Sequence, residues 1–135
     1  MKKEFISPKG VHPTSVRGKE PRYSHAAKVG NTIYVSGQVG IKENGEVPES
    51  FEEQCVVAFE NLKKVLEATG ASLEDVVKTT GYFVNYLRDF DKYHEIKARY
   101  FGQPMPACTN IQINYLAFPD LLVEIEAIAV TGETV

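Results

Sequence analysis

The stretch LLVEIEAIAV, residues 121–130, alternates in the way that is typical of a β-strand with two unlike faces. The odd-numbered residues from 123 to 127 are apolar and share one side of this strand. Glu124 and Glu126 share the other side, roughly 7 Å apart, and apolar residues follow them toward the strand end. The pattern therefore predicts a sheet in which both faces are at least partly buried.

A β-hairpin shows the same two-sided pattern. In YSHAAKVGNTIYVSGQVGI, residues 23–41, two strand-like runs flank the dipeptide Gly30-Asn31, which is a hairpin turn signal. Ile33 lies on the opposite side of its strand from Tyr34, so apolar groups again occur on both faces. Because the chain contains too few helices to cover both faces, the second face is expected to be buried by self-association around a closed symmetry axis.

Two amphipathic helices are predicted. In residues 45–70, Ser50 is placed as a helix cap with Glu53 three residues later, and Gly70 ends the pattern. The apolar stripe of this helix, which includes a cysteine read as a packing residue, consists of Phe51, Cys55, Phe59, Leu62 and Leu66. A second helix is expected over residues 89–102.

The order of the elements predicts the fold class. A short strand over residues 4–6 precedes a long loop, residues 7–22, which is rich in proline and basic side chains. The hairpin, the first helix, a strand over residues 76–84, the second helix and two final strands follow. This order indicates one α+β domain, residues 1–135, with a mainly antiparallel sheet and both helices on one face.

Composition excludes several classes of function. A content of 43% hydrophobic and 24% charged residues with a net charge of −3 is ordinary for a globular protein and argues against nucleic acid as a partner. No secretory signal or membrane span is visible, so a cytoplasmic location is expected. Two cysteines make no disulfide framework there, and no Cys/His cluster indicates a metal site.

The strand that follows PMPA, residues 104–107, carries a cysteine that invites two interpretations. Cys108, Asn110, Gln112 and Asn114 would share one face of it. The thiol of Cys108 is either a small packing group or a nucleophile. The packing group is favoured, because no histidine that could activate a nucleophile lies nearby in sequence. The two glutamates of the last strand also have two interpretations. They form a row that faces solvent, or a glutamate among them is a desolvated carboxyl with a raised pKa that transfers protons or holds a water.

Several separated motifs resemble one known family. Residues from Tyr23 to Val130 are similar to the reactive-intermediate deaminases, the RidA or YjgF-type proteins. The segments that carry this likeness are YSHAAKVGNTIYVSGQVGI, GASLEDVVKTTGYFV, PACTNIQI and LVEIEAIAV. The resemblance implies a chorismate-mutase-like α+β fold and a homotrimer with three small-molecule sites in the clefts between subunits. It also implies that no cofactor is needed.

The resemblance further implies an activity and a catalytic group. Similar proteins hydrolyse enamines and imines such as 2-aminoacrylate to 2-keto acids and ammonia. The family glutamate that positions the hydrolytic water matches Glu124. The family arginine that grips the substrate carboxylate as a bidentate fork matches Cys108, and a thiol cannot replace such a fork. An altered specificity is therefore expected.

Other positions of the family site are carried over in the same way. The expected substrate-binding residues, besides Cys108, are Tyr23, Ser36, Gly37, Gln38 and Asn110, the last standing where a cysteine is common in members that deaminate. The chain departs from the family at His25, where glutamine is frequent. Its N-terminal loop is also longer than usual and carries Arg17 and Arg22, either of which would be a candidate replacement for the missing arginine if it entered the cleft.

Three hypotheses from different classes stay open at this point. The first is a hydrolase of an imine, an enamine or a related activated metabolite. The second is a non-catalytic trimer that binds a small ligand for regulation. The third makes Cys108 a reactive thiol with His25 or Glu124 as its base. Some relatives have also been described as endoribonucleases, which the acidic composition does not favour.

Overall fold

The computed structural model of the chain describes residues 1–15, 18 and 20–132. Within these residues, strands and helices follow each other in the order that the sequence predicts. The strands are β1 (Lys3–Ile6), β2 (Ala26–Val29), β3 (Thr32–Val39), β4 (Val76–Phe83), β5 (Ala107–Gln112) and β6 (Val123–Val130). The helices are α1 (Phe51–Ala68) and α2 (Tyr86–Tyr100), and a 3-10 turn covers Leu73–Asp75.

One sheet contains all these strands, in the order β1-β2-β3-β6-β4-β5. Neighbouring strands are antiparallel except β4 and β5, which run parallel. Helix α2 forms the crossover between β4 and β5, since parallel neighbours require a connection that returns along the sheet. The predicted α+β class, with a mainly antiparallel sheet and both helices on one face, is confirmed.

Helix α1 begins and ends where the sequence predicts. The hydroxyl of Ser50 accepts a hydrogen bond from the backbone N–H of Glu53, 3.1 Å away, which satisfies one free donor of the first turn. After the helix, Gly70 adopts a φ of +89°, a conformation that costs glycine little, and the chain reverses there. Helix α2 starts three residues earlier than predicted because the side chain of Asn85 caps it, accepting from the backbone N–H of Arg88.

The hydrophobic core lies between the two helices and one face of the sheet. Phe59 of α1 is fully buried, and its ring stacks on Tyr93 and Tyr100 of α2. From β6, the odd-numbered residues 123–129 point into this core, as their alternation predicts. Burial of these apolar groups is the main favourable term that holds the helices against the sheet.

The opposite face of the sheet carries no helix. Along it the side chains of Tyr34 and Val130 are 49% and 44% exposed, respectively. We call this surface the open face. A single chain therefore leaves uncovered the apolar residues whose burial the sequence predicts, which is the condition under which self-association is favourable.

Among the described helices, none is long and apolar enough to cross a membrane.

Cys55 lies in the core, as its place on the α1 stripe predicts. It is fully buried, and burial, followed by the charge of Asp89, raises the pKa of its thiol to about 12. Replacing Cys55 with serine is expected to lower the free energy of unfolding by about 1–3 kcal/mol, because the buried hydroxyl would lack a partner. Urea denaturation measures this loss. The exposed Cys108→Ser variant is the control, and an equal loss in both variants would contradict the assignment.

Candidate functional site

Glu124 of β6 lies directly over Gly37 of β3 on the open face. A Cβ atom at position 37 would stand only 2.1 Å from Oε2 of Glu124, so this position must be glycine if the carboxylate is to occupy its place. The pairing of β3 with β6 shifts between Val35 and Gln38, which is a β-bulge. Ser36 and Gly37 together oppose the single residue Glu126, so β3 is one residue longer than β6 here, and bulges of this kind re-aim side chains beside binding sites.

The Glu124 carboxyl is held in a partly desolvated place. Burial, followed by the negative charge of Glu126, raises the pKa of Glu124 above its ordinary value. Tyr23 stands close enough that burial and then the Glu124 charge raise the pKa of its phenol as well. A carboxyl with a raised pKa binds a proton more tightly than an ordinary glutamate, which favours a role in proton transfer.

Glu126, the second glutamate of β6, accepts a short hydrogen bond from the hydroxyl of Tyr82 on β4. This bond, followed by burial, raises the pKa of Tyr82 to about 12. Glu126 also lines an open depression of about 350 Å³ on the open face, together with Tyr23 and Ser36. The two glutamates therefore differ in role: Glu126 has a fixed partner, whereas no hydrogen bond within the described residues engages the Glu124 carboxylate.

A buried hydrogen-bond network supports the bulge from behind. Gln38 donates from its amide to the backbone oxygen of Ser36 at 3.0 Å and to Nδ1 of His25 at 3.1 Å. Nε2 of His25 in turn donates to the backbone oxygen of His12 at 2.9 Å. Because a carbonyl oxygen only accepts, His25 must carry its proton on Nε2 and leave Nδ1 free to accept from Gln38. This arrangement requires a neutral His25.

The protonation state of His25 is expected to control stability. Burial is the main cause that lowers the pKa of both His25 and His12 in the folded chain. The unfolded chain therefore binds protons more readily below about pH 6.5, so stability falls as the pH drops from that value through the folded pKa. Between pH 7.5 and pH 5, the urea midpoint of His25→Gln is expected to fall less than that of the native chain. Equal losses would contradict this prediction.

Cys108 and Asn110 lie on the other side of the sheet from Glu124. Asn110 is paired with Gly81, and Gly81 is paired with Ile125, whose side chain points into the core. Paired residues point to the same side, so Asn110 and Cys108 face the helix layer. The amide of Asn110 confirms this direction, because its Nδ2 donates to the hydroxyl of Tyr86 in α2 at 3.0 Å.

The structure thus divides the predicted site into two groups. Glu124, Gly37, Ser36, Gln38 and Tyr23 come together around the bulge, whereas Cys108 and Asn110 lie on the outermost strand and face the helices. Cys108 is exposed there, but neither of its suggested bases is available to it within one chain. Glu124 lies on the other side of the sheet, and both ring nitrogens of His25 take part in hydrogen bonds. Asn114 follows the end of β5 and so does not continue the polar row.

The remaining positions predicted from the sequence add little to the description of the site. Arg22 is exposed, and Arg17 lies outside the residues that the structure describes. In the described parts of the chain, no group of three or more His, Cys, Asp or Glu side chains is placed to hold a metal ion. Sequence reasoning missed His12, whose backbone oxygen fixes the His25 tautomer, and Tyr82, the partner of Glu126. Only the alternation of β4, which puts Tyr82 opposite Phe83, carried a signal for the latter.

Comparison with known proteins decides the family. Residues 17–131 match the family described as Endoribonuclease L-PSP. The RidA protein of the Antarctic bacterium Psychrobacter sp. PAMC 21119 has the same fold, with 36% identity, a TM-score of 0.85 and coverage of 95% of this chain and 99% of that one. The chain belongs to the RidA/YjgF family. The sequence resemblance is therefore confirmed.

Two further members of the RidA/YjgF family carry information on ligands. A mouse protein named 2-iminobutanoate/2-iminopropanoate deaminase is 41% identical over 112 residues, which cover 82% of each protein. The TdcF protein of Escherichia coli, whose structure contains bound serine, is 27% identical with a TM-score of 0.85 and coverage of 96% of this chain and 99% of that one. Members of the RidA/YjgF family thus bind small polar molecules.

Proposed function

We propose that this chain hydrolyses imines or enamines of small carboxylic acids and acts as a homotrimer with its ligand clefts between subunits. The observation that carries the proposal is the Glu124 carboxyl, seated over Gly37 with a raised pKa and with no hydrogen-bond partner within the described residues. The name of the mouse relative supports the substrate class. No cofactor enters the reaction.

The chemistry needs one group that moves protons. Water adds to the imine carbon of a 2-imino acid, its oxygen forms the new C–O bond, and the imine nitrogen becomes an amine. Glu124 takes one proton from the attacking water and passes it to the imine nitrogen, which gives a carbinolamine. Glu124 then takes the proton of the carbinolamine hydroxyl and passes it to the amine, so that the C–N bond breaks, ammonia leaves and the C=O bond forms. The products are a 2-keto acid and ammonia, and all atoms of the added water are accounted for.

The groups around the bulge provide positions for the substrate. The phenol of Tyr23 lies within electrostatic reach of Glu124, and because its pKa is raised it keeps its proton and can donate a hydrogen bond. Ser36 is held in place because its hydroxyl donates to the backbone oxygen of Ser24 at 2.6 Å. We expect Tyr23, Ser36 and Gly37 to line the substrate-binding half of the site, and the fully buried Gln38 to support this half from behind.

The division of the site between the two sides of the sheet supports a cleft between subunits. Cys108 and Asn110 belong to β5, which is one of the two edge strands of the sheet and is largely exposed. An exposed edge strand is available for contact with another copy. Residues of β5 and the residues around the bulge, which we call the Glu124 group, would share one site if the β5 edge of one subunit met the open face of the next.

The homotrimer is tested by mass. Light scattering at micromolar concentration is expected to give three times the chain mass of 15.0 kDa. The physical reason is the uncovered apolar open face, which is buried by a closed ring of copies. A stable monomer would contradict the proposal, since the Glu124 group and the β5 residues would then remain apart.

The reaction is tested by following release of 2-keto acid from 2-iminopropanoate and 2-aminoacrylate above the spontaneous rate. A weak native rate that disappears in Glu124→Gln is expected, because glutamine keeps the shape of the side chain but cannot accept the proton. Equal rates in both proteins would refute the role of Glu124. A native rate no higher than the spontaneous one would favour the second candidate below.

The second candidate is a trimer that binds a small ligand without catalysis. It is favoured by one observation: the position that the resemblance assigns to a carboxylate-gripping arginine holds Cys108, which cannot make two charged hydrogen bonds. Binding without turnover, measured calorimetrically, would support this candidate. A third possibility, a reactive Cys108, would appear as rapid labelling by a neutral thiol reagent at pH 7.

A further inference from the structure

A buried lysine lies beneath α2. Lys97 is only 2% exposed, and its Nζ donates to Oγ1 of Thr79 at 3.2 Å. No carboxylate among the described residues lies within ion-pair distance of this ammonium group. Lysine is rarely this deeply buried without an anion, because an ammonium group that leaves water loses far more than the Thr79 hydrogen bond and a cation–π contact with the Tyr93 ring return.

The lysine is located close to Cys108. Thr79, which accepts its hydrogen bond, is the direct register partner of Cys108 in the parallel pair of β4 and β5. Neighbouring strands are about 5 Å apart and paired residues point to the same side. The Lys97 ammonium therefore lies just beneath the surface on which the exposed Cys108 side chain stands.

A second unused donor lies at the same place. The Tyr93 hydroxyl is buried without a hydrogen-bond partner among the described residues, and its ring centroid is 5.7 Å from Nζ of Lys97. Burial, and after it the nearby thiols of Cys55 and Cys108, raises the pKa of Tyr93. The phenol therefore keeps its proton and stands within electrostatic reach of Cys108. An ammonium with free N–H groups and a phenolic O–H are the donors that an anion needs.

We propose that Lys97 and Tyr93 form an anion subsite beneath Cys108 that takes the carboxylate of a small 2-keto or 2-imino acid. The identity of the acid rests on the proposed function, whereas the presence of the anion subsite does not. Lysine offers a point charge on a flexible four-carbon stem, so the ammonium can move toward an anion that docks at Cys108. The subsite selects for a negative charge but lacks the two-pronged geometry of a guanidinium.

The charge is tested with two alkylating reagents that differ in charge. Iodoacetate and iodoacetamide both alkylate exposed Cys108, and the buried Cys55 remains silent. The ratio of the iodoacetate rate to the iodoacetamide rate is expected to be about fivefold higher in the native protein than in Lys97→Met, since the anion is attracted by the Lys97 charge. Lys92→Met removes an equal charge from the exposed side of α2 and should leave the ratio unchanged.

The occupant is tested by protection. Pyruvate is expected to slow alkylation of Cys108 by iodoacetamide in the native protein, whereas its neutral amide should not, and Tyr93→Phe should weaken the protection. If Lys97→Met fails to fold, the same charge is read in the native protein, where raising NaCl from about 0.05 to 0.5 M should lower the reagent ratio.

Three results have separate meanings. A reagent ratio that is unaffected by Lys97→Met, or by salt in the native protein, overturns the subsite. A reagent ratio that falls in Lys97→Met as expected, without protection by pyruvate, overturns the proposed occupant. The same fall with protection, but without hydrolysis of 2-iminopropanoate, supports the subsite and contradicts only the proposed hydrolytic function.

Discussion

The Cys108→Arg variant is expected to hydrolyse 2-iminopropanoate about 10²-fold faster than the native protein. A guanidinium at position 108 would hold the substrate carboxylate through two parallel charged hydrogen bonds, which a thiol cannot make. Charge-assisted hydrogen bonds are worth about 1.5–3 kcal/mol each, and 1.4 kcal/mol corresponds to a tenfold change, so a gain of this size is reasonable. The rate of pyruvate release above the spontaneous background measures it.

Two further variants in the Cys108→Arg background make the result specific. Glu124→Gln should abolish the gain, because the restored carboxylate grip is useless without the proton-transfer group. Lys97→Met should preserve most of the gain, since the guanidinium at position 108 then holds the carboxylate in place of the lysine.

The opposite outcomes are equally informative. No gain in a correctly folded Cys108→Arg trimer would mean that the rest of the pocket has diverged, which favours ligand binding without catalysis. Strong native activity would mean that another cation already holds the carboxylate, and Lys97 is then the first group to remove.

The second large effect is expected from Gly37→Ala. The added methyl group would stand 2.1 Å from Oε2, 2.6 Å from Cδ and 2.8 Å from Cγ of Glu124, so the carboxylate must move away. The atoms that clash belong to the end of a flexible side chain, and the fold is therefore expected to survive. A displacement of about 1 Å can lower a rate 10²-fold, and the variant should lose the activity gained in the Cys108→Arg background.

Gly102→Ala is the matched control for this substitution. No heavy atom lies within 4 Å of the position that its Cβ would occupy, so rates and thermal midpoint should stay unchanged. If Gly37→Ala retained full activity with a native melting curve, the Glu124 carboxylate would not be the group that activates water.

Local elements could be predicted from the sequence because their signals are local. The Gly30-Asn31 turn, the Ser50 cap and the buried stripe that contains Cys55 each depend on residues a few positions apart, and the structure confirms all three. The predicted start of α2 is three residues late, because the capping role of Asn85 depends on where β4 ends.

The arrangement of the site could not be predicted in the same way. Strand alternation shows which residues of one strand share a side, but it does not show which sides of two distant strands coincide. The opposite directions of Glu124 and Cys108 follow only from the register that joins β6, β4 and β5. Lys97 was missed for a related reason, since a lysine in the last turn of a helix ordinarily faces solvent and stabilises the helix end.

The placement of Cys108 on an exposed edge strand, away from the support of Glu124, has an evolutionary consequence. A substitution at position 108 disturbs neither the core nor the bulge under Gly37, so it costs little stability. Ligand preference can therefore drift through single changes on β5 while the bulge and the carboxylate that lies over it are inherited intact. A fold built in this way can diversify its chemistry without first passing through unstable intermediates.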